Sequence, residues 1–108
     1  MLKDNEKMML SEQEAIDALS EIECIFISLS DIARYYYTKP DGSISAEMHQ
    51  EYCAETTRFI DENNITRRLA KVRSIISKNF NDDLGEDDMD DIERAMEKIK
   101  YWENQEIN

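Results

Sequence analysis

The sequence predicts an all-α fold of four helices, and three observations carry that expectation. Only two glycines and one proline occur in 108 residues, too few for the turns with positive φ that hairpins require. Glu, Lys, Met, Leu, Ile and Ala, which favour helices, are abundant. Apolar residues also recur at helical spacing along most of the chain. A hydrophobic content of 41% is too high for a disordered acidic chain, even with a formal net charge of −12. The length suits one domain with its own core, expected over residues 11–108 behind an N-terminal extension, 1–10.

The first helix is expected over about residues 11–38. Ser11 and Glu14 have the spacing of a capping box, in which the serine hydroxyl accepts from the amide of Glu14 and the glutamate accepts from the amide of Ser11. Ala15, Leu19, Ile22, Phe26, Leu29, Ala33 and Tyr36 follow at alternating intervals of four and three, and Ala18, Ile25 and Ile32 widen that stripe. A helix of about 27 residues would be on the order of 40 Å long, which makes it the organising element.

Lys39-Pro40-Asp41-Gly42 ends it, because proline disfavours helical geometry at the residue before it and Asp-Gly supplies a turn. Ser43 or Ser45 can cap a second helix, about 45–62, with apolar positions Met48, Tyr52, Phe59 and Ile60 and with Ala46 and Cys53 beside them. Asn63-Asn64 forms a polar junction. The third helix, about 65–79, carries the stripe Ile65, Leu69, Val72, Ile76 and Phe80. After a loop from Asn81 to Gly85, the fourth is expected over about 87–104, on Met89, Ile92, Met96, Ile99 and Trp102.

Charge is the main functional signal. Between Asp82 and Glu93 there are eight carboxylates and no base, directly after a stretch from Asn64 to Phe80 with five basic residues and no acid. Such a field selects for basic partners. Part of it is ordinary helix chemistry, since Asp87, Asp88, Asp90 and Asp91 crowd the start of the fourth helix, where the macrodipole favours carboxylates. The basic run, set in an acidic chain, would meet a phosphate backbone against net repulsion. Direct nucleic-acid binding is therefore not expected. Arg67, Arg68 and Lys71 should instead lie against acids of the first or second helix, or against the acidic block.

The sequence carries no constellation for catalysis or metal. Placing Gly85 at the invariant glycine of an EF-hand loop puts Phe80 and Leu84 where oxygen ligands are needed. His49 is the only histidine, so a di-metal bundle centre cannot form, and with Cys24 and Cys53 it offers at most three zinc ligands, spread over two helices. Cys53 lies one turn after His49, but nothing builds an oxyanion hole or an orienting third group. Gly42 and Gly85 are the only glycines, which leaves no phosphate-binding loop. The expectation is a protein with no enzyme activity, cofactor or metal. Met1 to Leu10 has no apolar run of the length a signal peptide or membrane span needs, and a cytoplasmic location with free thiols at Cys24 and Cys53 is expected.

The candidate partner-binding residues are Asp82, Asp83, Glu86, Asp87, Asp88, Asp90 and Asp91, with Tyr35, Tyr37 and Tyr101 as aromatic anchors. Carboxylates grouped in this way can compete with nucleic acid for the same lysines and arginines. Tyrosine adds large contact area at low entropy cost. At Tyr35-Tyr36-Tyr37 at least one ring must face outward, and Tyr101 points off the stripe that Trp102 extends. In size, acidity and helical content, and in the Asn81 to Glu93 run leading into a Trp-ended helix, the chain resembles bacterial immunity proteins that neutralise nuclease toxins. The resemblance is one of type and assigns no individual residue. It implies an inhibitor that covers a basic, nucleic-acid-handling protein such as a nuclease toxin. The alternative is a helical adaptor, assembly factor or secretion chaperone that self-associates along the first helix. Its wide stripe, with Ile27, Met8, Met9 and Leu10 to spare, would support a dimer.

Overall fold

The computed structural model describes residues 1–105. They form helices α1 (Glu12–Tyr36), α2 (Ala46–Glu62), α3 (Ile65–Ser77) and α4 (Asp91–Met96), after one 3-10 turn at Lys3–Asn5, and contain no strand. The all-α expectation holds. No helix among the described residues is long and apolar enough to cross a membrane.

The chain divides into two compact units, Leu10–Ile76 and Met1–Met9 with Ser77–Asn108. Residues 106–108 lie outside the described residues. The first nine residues, expected as an extension of a single domain, are thus built into a unit with the C-terminal segment. The reason is a polar link that the sequence does not advertise, described below.

In the Leu10–Ile76 unit, α1 begins as its capping box requires. The amide of Glu14 donates to Ser11 Oγ and the amide of Ser11 donates to Glu14 Oε1, both at 3.0 Å. The helix ends at Tyr36, and Lys39–Gly42 makes the turn, with Gly42 at φ 75°, where the absence of a Cβ removes the strain. Ser45, not Ser43, caps α2 by accepting from the Met48 amide at 3.1 Å, while Ser43 donates to Asp41. Asn64 takes φ 52°, a left-handed geometry that asparagine tolerates, and so links α2 to α3 without a loop.

The apolar centre of this unit is small. Ala18, Val72 and Ile75 form one buried cluster with Leu10 packed on it, Ile65 is also buried, and α2 packs along α1. Among the described residues no large side chain is completely enclosed. The buried face of α3 keeps Ile65 and Val72 of the expected stripe but takes Ile75 in place of Leu69 and Ile76. Val72 and Ile75 point inward, whereas Leu69 and Ile76 are 50% and 37% exposed. Glu21 of α1 explains the register, because Arg68 Nη1 and Lys71 Nζ approach its carboxylate at 3.3 and 3.6 Å and hold those positions against α1. Two of the three basic residues expected against acids, Arg68 and Lys71, thus meet one on the first helix.

The second unit holds α4, which is much shorter than the expected 87–104. Asp90, not a residue of the preceding turn, caps it: its Oδ1 accepts from the Glu93 amide at 2.7 Å, and the Glu93 carboxylate returns to the Asp90 amide. Asp88 at φ 59° stands in the left-handed region and excludes an earlier start. After Met96 the chain leaves the helix, and Trp102, expected on its core stripe, is 85% exposed.

Candidate functional site

The acidic segment is not a loose run of charge. It is folded around one cation, Arg94 of α4. Arg94 Nε and Nη2 donate to the two carboxylate oxygens of Asp87 at 2.8 and 2.7 Å, Nη2 also donates to the Met89 carbonyl at 3.0 Å, and Nη1 donates to Asp91 Oδ1 at 2.9 Å. The planar fork of arginine suits this bidentate grip. Backbone bonds close the loop: Gly85 N–H to the Met89 carbonyl at 2.9 Å and Asp88 N–H to the Gly85 carbonyl at 3.1 Å. A Cβ at Gly85 would sit 2.7 Å from Arg94 Nη2, so a side chain there would displace the guanidinium.

Asp91 faces inward. Its Oδ2 accepts from the Leu2 amide and from Asn5 Nδ2, both at 2.7 Å. Asn5, itself buried, also bridges to the backbone of Asn81, donating to its carbonyl at 3.0 Å and accepting from its amide at 2.8 Å. The N-terminal segment is therefore bound to α4 and to the start of the acidic loop through one asparagine. The Arg94 guanidinium, then the Met89 amide, hold the Asp87 carboxyl well below the usual carboxylate range. For Asp91 the Asn5 bond and then the Leu2 amide lower it. The same pairing, led by Asp87, raises Arg94.

The carboxylates expected as one docking surface thus divide into two groups. Asp91 is buried and engaged, which corrects its place in that surface. Asp87 is clasped by Arg94 and Asp90 caps α4, so both are occupied in folding the segment. Asp82, Asp83, Glu86 and Asp88 are exposed around the loop thus formed. Tyr101, in the same unit, is 71% exposed. Tyr35 and Tyr37 belong to the other unit. Tyr35 is 71% exposed there, while Tyr37 stacks edge-on against Tyr52 of α2, with ring centroids 5.2 Å apart. Tyr36 is half-buried beside Tyr52, and loss of water contact, then the Glu55 and Glu51 carboxylates, raise its phenol.

Sequence reasoning missed Arg94, Asn5 and Asn81 as organisers. One signal was available: Asp90 and Glu93 stand three residues apart, the spacing of a helix start. It also missed how little of the α1 stripe is covered, since Leu19, Ile22 and Phe26 are 57%, 40% and 61% exposed.

Other chemistry is sparse. Cys24 and Cys53 are free thiols, and Cys53 Sγ lies 3.9 Å from the His49 ring nitrogens on the exposed side of α2. Among the described residues no group of His, Cys, Asp and Glu has the arrangement to hold a metal.

No family model matches the chain, and no solved structure matches it. Protein lin-25 of Caenorhabditis elegans is 31% identical over 90 residues, which cover 82% of this chain and 8% of lin-25. The chain spans less than a tenth of that protein, whose name specifies neither a ligand nor a reaction.

Proposed function

We propose that this protein is a non-enzymatic, acidic binding protein that docks on a basic partner protein, of the kind that handles nucleic acid, and inhibits it in the manner of an immunity protein or antitoxin. The observation that carries this reading is the division of the carboxylates. Asp87, Asp90 and Asp91 fix the loop, and the exposed Asp82, Asp83, Glu86 and Asp88 are displayed on it. A charged loop whose backbone is already ordered loses less conformational entropy on binding than a flexible one. The field of the acidic chain supplies steering towards a cation, and Tyr101 and Trp102 add exposed aromatic area in the same unit. Of the basic residues of α3, Arg68 and Lys71 pair with Glu21 of α1.

The test neutralises only the displayed set: Asp82→Asn, Asp83→Asn, Glu86→Gln and Asp88→Asn together. Circular dichroism should show the helices retained, because none of these side chains caps a helix. In pull-downs from the native cell, the wild type should retain a basic protein in a salt-sensitive manner and the variant should release it. Equal retention by both, or a retained partner with no basic surface, rejects the reading.

A second reading, a self-associating helical adaptor or assembly factor, is favoured by a different observation. The outer face of α1 leaves Ile16, Leu19, Ile22, Phe26 and Ile27 between 40% and 61% exposed. Monomeric proteins rarely leave contiguous apolar area of this kind uncovered.

A further inference from the structure

We infer that the outer face of α1 takes a second copy of this chain, with the two α1 helices running parallel about a two-fold axis. The inference rests on the adaptor reading and adds the occupant, its orientation and its charge register.

The spacing of the face comes first. Ala15, Leu19, Ile22, Phe26, Leu29, Ala33 and Tyr36 alternate by four and three over the whole of α1. That is the heptad seam of a coiled coil, in which each seam residue enters a hole formed by the facing helix. Within one chain the seam is only partly used. Ala18, one position before Leu19, is buried against Val72 and Ile75, and the middle of the seam, Leu19, Ile22 and Phe26, is left open. A pattern that repeats every seven residues along a helix of 25 residues is matched best by another helix with the same repeat, and a second α1 has it by construction.

Charge then selects the orientation. Val72 and Ile75 of α3 lie on Ala18, and the neighbours on one side of that contact, Arg68 and Lys71, reach Glu21. Glu21 and Ile22 flank Ala18 on opposite sides of the α1 cylinder. Leu69 and Ile76, on the other side of the α3 contact, therefore fall on the Ile22 side, with Arg73 at their outer edge. The open seam is thus flanked by Glu23 on α1 and by Arg73 on α3, both exposed. A two-fold axis parallel to α1 lays the Glu23 edge of each copy on the Arg73 edge of the other. An antiparallel arrangement lays Glu23 towards Glu23 and Arg73 towards Arg73, which is repulsive. Along the axis Glu23 stands five residues from Ala18, about 7.5 Å, a span that extended glutamate and arginine side chains close together. An isologous contact of this type is the usual form of a homodimer.

Sedimentation equilibrium of the full chain tests this. The wild type should form a dimer. Leu19→Gln with Phe26→Gln, both at exposed positions and so harmless to the fold, should weaken it at least tenfold. Glu23→Arg and Arg73→Glu should each weaken it several-fold, and an equimolar mixture of the two single variants should recover wild-type association as a heterodimer, because opposite charges then face each other on both of its edges. A monomer at all accessible concentrations overturns both the inference and the adaptor reading. A dimer indifferent to Leu19 and Phe26 overturns the assigned face. A dimer that needs Leu19 and Phe26, but in which each charge reversal is neutral and the mixture gains nothing, overturns the parallel register and leaves self-association standing.

Discussion

Arg94 clasps Asp87 across seven residues of chain, Nε to Oδ2 at 2.8 Å and Nη2 to Oδ1 at 2.7 Å, and the loop between them closes over the pair. The densest run of negative charge in the sequence therefore has a positive centre. Its folding consumes part of the charge that looked available for recognition, and the same contacts give the remainder a fixed backbone to stand on.

Replacing that centre should loosen the loop and little else. In Arg94→Lys the charge persists but one ammonium cannot reproduce the two-pronged grip on Asp87 together with the bond to the Met89 carbonyl. Hydrogen exchange at the Gly85 and Asp88 amides should accelerate at least tenfold, with the α1 and α2 amides unchanged. Gly85→Ala should act in the same direction, since its methyl would meet Arg94 Nη2 at 2.7 Å. Protection in both variants equal to the wild type would show that the loop is held by something else.

Asn5 joins the N-terminal segment to the C-terminal one, so a substitution remote in sequence from the loop should release it. Asn5→Ala leaves the carbonyl and amide of Asn81 without their side-chain partners and should cost about 1–3 kcal/mol in the stability of that unit. Limited proteolysis should then cut within residues 1–9 in the variant and not in the wild type. Equal cleavage of the two would contradict the link.

Acid should attack the same network. Folding lowers the Asp87 and Asp91 pKa values, through the Arg94 bonds in the first case and the Asn5 and Leu2 bonds in the second. The folded state therefore binds fewer protons than the unfolded chain as pH falls. The stability these groups supply is complete above the ordinary carboxylate pKa of about 3.9, and is lost progressively below it as the folded values are approached. Denaturant midpoints should be flat from neutral pH to about 5 and decline below about 4. Asp87→Asn should start lower at neutral pH, decline less steeply and meet the wild type in strong acid.

The helices were legible where a local signal marked them. Ser11 with Glu14 marked the start of α1, Pro40 with Gly42 its end, and Ser45 the start of α2, because caps and turns act within four residues. The extent of α4 was not legible. Met96, Ile99 and Trp102 keep helical spacing although the helix ends at Met96, and the bond that draws Asp91 inward runs from Asn5, over 86 residues. Periodicity also could not distinguish an apolar face that is covered from one that is open, which is why the α1 stripe suited a core and a dimer face equally. The candidate site was legible in location and net sign, and hidden in its division between structural and displayed carboxylates.

The register of α3 gives a last prediction, because the helix turns slightly away from the expected stripe. Of that stripe Val72 closes on Ala18, but Ile75 joins it there while Leu69 and Ile76 stay exposed. Truncating a buried aliphatic side chain removes its transfer free energy and leaves a cavity, so Ile75→Ala should cost about 2–4 kcal/mol. Leu69 is 50% exposed and leaves no enclosed space behind, so Leu69→Ala should cost under about 1 kcal/mol in the isolated chain. Measured by denaturant unfolding at low protein concentration, where association does not contribute, the ranking should be Ile75 well above Leu69. The reverse order would mean that α3 is turned by about one residue, about 100°, from the register that Glu21 sets with Arg68 and Lys71. Repeating the pair at high concentration separates the two roles: Ile75→Ala should remain costly at any concentration, while the penalty for Leu69→Ala should grow only where a second copy covers it.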